Sequence, residues 1–199
     1  MIIFATKYDD ATQNSFSSAQ SVVDESDFLL FENNAVNEKL ALVLNDFPNK
    51  NLMCFSHGTP DFWYDNNDKP ALFNAQIETL NDRKTFVYAC NTALVLGRKI
   101  GQYGNTFYWG YNRPISTTEL DLKDIFLFIK QNFILCNKEQ IILDFFNKLK
   151  NICEEKADYI AENYPHSSLE DYRAVCQIWT HLELHCNHKI YDYPQQSSY

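Results

Sequence analysis

The chain has 199 residues, 45% of them hydrophobic and 15% aromatic, and a formal net charge of −9. That length and apolar share suffice for one domain with a sizeable core. The acidic balance, with no basic patch interleaved with aromatics, argues against direct nucleic-acid binding.

In chain order, β-rich runs fall at Ile2–Thr6, Phe28–Phe31, Leu52–Ser56, Thr85–Ala89 and Asn105–Trp109. Each is continuous rather than alternating, as strands covered on both faces are. Helical spacing predicts helices over Asn34–Asn45 and Thr92–Tyr103, with a weaker one over Phe73–Leu80. Strands alternating with helices predict a mainly parallel sheet between two helical layers.

After Ser116 the pattern predicts helices alone. Ser116 with Glu119, and Ser167 with Glu170, read as capping boxes opening helices to about Asn132 and about His185, with a long periodic stretch at Glu139–Asn163 between them. Residues 1–115 therefore read as the sheet region, 116–190 as a helical completion of the same domain, and 191–199 as a loose tail. No apolar run has the length of a transmembrane helix. The opening MIIFATKYDD has neither a basic start nor a small-residue cleavage site, so the sequence reads as cytoplasmic with no membrane partner.

Six cysteines stand singly, at 54, 90, 136, 153, 176 and 186, with no CxxC pairing. That usage fits reduced thiols. Near the end, THLELHCNH gathers His181, His185 and His188 on what reads as one helix face, yet lacks the HExxH arrangement. No metal is expected, and no phosphate or dinucleotide loop is present to imply a cofactor.

Two corners carry the chemistry. His57 and Cys90 each lie one residue past a predicted strand, so both belong at the carboxyl edge of the sheet, where an open parallel sheet gathers its reactive loops. A predicted helix starting after Cys90 would favour its thiolate, with Asn91 or Thr92 as cap. His57 would move the proton as general acid and base. Gly58 lets the backbone approach a substrate, and its N–H with that of Cys90 would bind the developing oxyanion.

The stretches FSHG (Phe55–Gly58) and YACNTALVLGRKIGQYGN (Tyr88–Asn105) resemble the caspase-like cysteine peptidases, most closely their bacterial CHAT branch. The likeness spans Leu52 to Ile115, about a third of the chain. It implies a three-layer caspase-like α/β fold, Cys90 as nucleophile, His57 as catalytic histidine, Gly58 as oxyanion donor, and no cofactor. It also implies a peptide or protein substrate bound as an added strand along Phe107–Ser116, with Trp109, Gly110, Tyr111 and Arg113, and Asp61 or Asp65 from the loop after His57, walling the groove. The separation of 33 residues and Tyr88 before Ala-Cys depart from the eukaryotic pattern, which places the histidine about fifty residues upstream of Gln-Ala-Cys. Residue preference is therefore not transferred. CHAT domains commonly serve defence systems, so the resemblance implies a separate activator or sensor protein. The rival expectation is a catalytically silent domain of the same fold that binds peptides in a defence or signalling complex.

Overall fold

The computed structural model describes residues 1–72, 74–163 and 169–193. Seven strands form one sheet in the order β2-β1-β3-β4-β5-β6-β7. The first five, β1 (Ile2–Ala5), β2 (Phe28–Phe31), β3 (Leu52–Phe55), β4 (Lys84–Tyr88) and β5 (Phe107–Tyr111), are parallel and match the predicted runs to within two residues. In β1, β3, β4 and β5 the continuous apolar character has the expected cause, whereas the edge strand β2 leaves Phe28 and Leu29 exposed. Ile3, Met53, Phe55, Phe86 and Trp109 face one buried cluster, while Ile2, Phe4, Leu52, Cys54 and Val87 face another.

Helices cover both faces, giving three layers. Helices α1 (Asp10–Ser21), α4 (Lys123–Asn132), α5 (Glu139–Asn163) and α6 (Leu169–Thr180) lie over the first cluster. Helix α2 (Asn37–Asp46) and a helical run after β4 lie over the second. Buried Arg83 closes α2, donating to the carbonyls of Leu44, Phe47 and Lys50 and so satisfying groups that a helix end leaves open.

Four expectations change. The run after Cys90 is a π-helical turn, Ala93–Gly97, continued by a single α-turn, α3 (Arg98–Ile100). Neither proposed cap operates, because Asn91 adopts a left-handed backbone (φ 61°) and Thr92 donates its hydroxyl back to Ala89. The helix expected to open at Ser116 starts at Lys123, since Ser116 and Thr118 bond α6 residues Gln177 and Asp171 instead. The Ser167 capping box lies outside the described residues, as do residues 194–199 of the tail.

The largest correction concerns the C-terminal region, which is not helical throughout. Residues 182–192 form an antiparallel hairpin, β6 (Leu182–Cys186) and β7 (Lys189–Asp192), extending the sheet beyond β5. Asn187 and His188 both take left-handed angles, as a two-residue hairpin turn requires. His181, His185 and His188 therefore do not share a helix face. His185 is buried against Glu183 at 3.0 Å, and among the described residues no cluster of His, Cys, Asp and Glu could hold a metal ion. No helix among the described residues is long and apolar enough to cross a membrane.

Candidate active site

Strands β3 and β4 are hydrogen-bonded neighbours with a constant offset of 33 residues, Leu52 beside Thr85 and Phe55 beside Tyr88. His57 and Cys90 are also 33 apart, so each stands two residues past the same register position at the carboxyl rim. Gly58 permits this proximity. A Cβ there would lie 2.6 Å from the Cys90 carbonyl oxygen and 2.9 Å from the Ala89 Cβ, inside any tolerable contact. The Thr59 N–H bonds the Phe62 carbonyl and the Tyr64 N–H bonds the His57 carbonyl, flanking the Gly58–Trp63 pair. Gly58 thus occupies a non-hydrogen-bonded position, and its own N–H is left out of that ladder.

His57 and Cys90 line one cavity of about 210 Å³. Helix α1 contributes Ala11, Thr12 and Ser15, the ends of β3 and β4 add Ser56 and Tyr88, and the segment after β5 adds Ile115 to Thr117. Two larger cavities, of about 330 and 410 Å³ beside residues 121–122, contain neither histidine nor cysteine.

Asp9, which the sequence reading missed, completes the arrangement. Its Oδ2 lies 2.7 Å from His57 Nε2, and its Oδ1 accepts the Thr12 N–H as the N-cap of α1. Burial pushes the Asp9 carboxyl pKa up, but the Thr12 N–H and then the His57 ring outweigh it, so the carboxyl is held below its usual range. An ionised carboxylate at Nε2 keeps that nitrogen protonated and leaves Nδ1 as the basic position. The signal for Asp9 was present in the sequence: Asp9 and Thr12 have the spacing of a capping box, at the start of a helix too polar to show an apolar stripe.

Cys90 Sγ accepts the Ile115 N–H at 3.3 Å and lies 3.6 Å from the Ile115 carbonyl. The left-handed Asn91 turns the chain sharply just past the thiol. The remaining five cysteine thiols are all pushed up, burial being the first cause in each, to about 12 at Cys136 and about 11 at Cys186.

The expected groove walls are not brought together. Trp109 and Tyr111 are 0% exposed, Trp109 packing on Phe145 and Phe146 and Tyr111 on Phe86 and Tyr88. Gly110 is buried, and a Cβ there would meet the Tyr108 ring and the Thr92 hydroxyl. Asp65 is buried too, because its carboxylate accepts the N–H groups of Asn37, Asn67 and Lys69, closing a loop and the start of α2. Asp61 and Arg113 are exposed and do not line the cavity.

Nor is β5 an open edge, since β4 and β6 occupy its two sides. The segment beyond it is tied down as well. The carbonyls of Arg113, Pro114 and Ser116 bond Asn91 N–H, His181 Nδ1 and the Tyr88 hydroxyl, and the Ser116 N–H donates to Gln177. A peptide cannot add as a strand there without displacing these bonds. No protein-family model, curated protein or solved structure matches the chain.

Proposed function

We propose that this chain is a caspase-like cysteine endopeptidase of the CHAT type. One observation carries the reading: a thiol and an imidazole at equivalent register positions share a cavity, with a carboxylate holding Nε2 of the imidazole. The FSHG and YACNTA stretches supply the family likeness, and the three-layer fold is compatible with it.

In the proposed reaction His57 Nδ1 takes the Cys90 proton and the thiolate attacks a peptide carbonyl. The carbonyl oxygen becomes negative and accepts the Gly58 and Cys90 N–H groups. Protonated His57 then gives its proton to the leaving amine, and water hydrolyses the thioester. Asp9 orients the ring and stabilises its charged form. The chemistry calls on no cofactor. Because the thiol and the segment after β5 bond one another, a separate activator protein that loosens residues 113–117 fits the reading, as does a role in a cytoplasmic defence system.

The second reading, a silent peptide-binding module, is favoured by the Cys90–Ile115 contact, which occupies the sulfur. A peptide-library cleavage assay decides between them, run on wild type and Cys90→Ala, alone and with the products of neighbouring genes. Cleavage by wild type that Cys90→Ala lacks is the expected result. Cleavage by neither protein in any mixture rejects the peptidase reading.

A further inference from the structure

Resting on the peptidase reading, we infer that the cavity beside Cys90 receives the side chain of the residue whose carbonyl is attacked, and that it selects a short uncharged hydrogen-bond donor: Asn, Gln, Ser or Thr. That side chain branches two bonds from the carbon Sγ attacks, so the cavity Cys90 itself lines is within its reach. A volume of about 210 Å³ fits one short side chain and falls below the range of about 300–1,000 Å³ typical of whole-ligand pockets.

The lining determines the chemistry. Apart from His57 it contains no ionisable group of ordinary charge at neutral pH. A lysine or arginine entering it meets no carboxylate, since Asp9 is already bonded to His57 and Thr12, and a buried unpaired charge is costly. A carboxylate meets only an imidazole already paired with Asp9, and three hydroxyls turned the wrong way. Ser15 donates its hydroxyl to the Thr12 carbonyl, Ser56 to the Tyr64 carbonyl and Tyr88 to the Ser116 carbonyl. With those hydrogens turned inward, the three oxygens can offer a guest only lone pairs. An amide or hydroxyl hydrogen satisfies them, whereas a carboxylate, acceptor only, does not.

The test uses peptidyl acyloxymethyl ketones that differ only in the terminal side chain. Each reacts by forming an S–C bond at Cys90 while a C–O bond breaks and carboxylate leaves, and mass spectrometry reads the labelled cysteine. The Asn, Gln, Ser or Thr probes are expected to label Cys90 at least about tenfold faster than those bearing Asp or Lys. Thr117→Arg, which puts a cation at the cavity wall, is expected to raise the relative rate of the Asp probe about fivefold or more. Fastest labelling by Asp, Lys or an aromatic probe overturns the selectivity and leaves the peptidase reading standing. An unchanged order in Thr117→Arg overturns the placement of the side chain in this cavity. If no probe, alone or with the products of neighbouring genes present, labels Cys90 faster than it labels a free cysteine, the peptidase reading falls and the inference with it.

Discussion

His57 and Cys90 are separated by the same 33 residues that offset β3 from β4, which places the two at one register position just past the ends of adjacent parallel strands. The pairing of the two strands therefore brings both residues to one end of the sheet. His57→Ala is expected to slow both peptide cleavage and labelling of Cys90, by about 100-fold or more for cleavage, the usual scale of general acid–base help. Mass spectrometry of alkylated protein checks it, with buried Cys54, Cys136 and Cys153 as internal references. Equal labelling of Cys90 with and without the imidazole would show that the pair does not function together.

Asp9 serves two structures, the His57 ring and the first turn of α1, and Asn separates them. Asparagine caps helices about as well as aspartate, so Asp9→Asn should keep the α1 cap and lower the melting temperature at pH 7 only slightly, by what the carboxylate's charge adds. It should lower cleavage by about 10- to 100-fold, less than for a fully buried partner because the Asp9 side chain is 45% exposed. A large loss of stability with full activity would reverse the assignment.

The same carboxylate sets a pH dependence. Its pKa is lower in the folded chain than in the unfolded one, so its contribution to stability is complete above the unfolded value near 4 and disappears as pH falls through the lower folded value. Acid unfolding below about pH 4 should be shallower in Asp9→Asn than in wild type. Denaturant midpoints measured from pH 2 to 7 would reveal whether the two curves converge at low pH, as this requires.

Gly58→Ala should be poorly tolerated, because the added methyl meets the Cys90 carbonyl at 2.6 Å and the Thr92 Cγ2 at 2.7 Å. Forcing these groups apart is expected to cost about 1–3 kcal/mol and to widen the His57–Cys90 corner, so stability and cleavage should fall together. A variant with wild-type stability and wild-type turnover would mean the close approach is not needed.

Trp109 belongs to the core in this fold, not to a substrate groove. Trp109→Ala should remove about 3–5 kcal/mol of stability by leaving a cavity against Phe145 and Phe146. Arg113→Ala, at an exposed position, should change stability by less than about 0.5 kcal/mol. Chemical denaturation of both variants distinguishes the two positions.

Much of the fold was legible in the residues alone. Runs such as LMCF and TFVY are apolar on both faces, and only a strand sandwiched between helices buries both, so the five parallel strands and the two corners at their ends followed from local pattern. The hairpin at 182–192 was legible as well but was read with the wrong period. Leu182, Leu184 and Cys186 alternate with Glu183 and His185, yet five residues suit a strand as well as the end of a helix until a neighbouring strand edge is known.

Contacts distant in the chain were decided by the tertiary structure alone. Asp9 meets His57 across 48 positions because β1 and β3 are neighbours in the sheet, which no spacing within either segment announces. Trp109 and Tyr111 are aromatic residues of the kind that wall grooves, and only the packing of α5 and β4 against them makes them core. Local sequence sets which way a strand's side chains alternate, whereas what covers each face depends on segments far away in the chain.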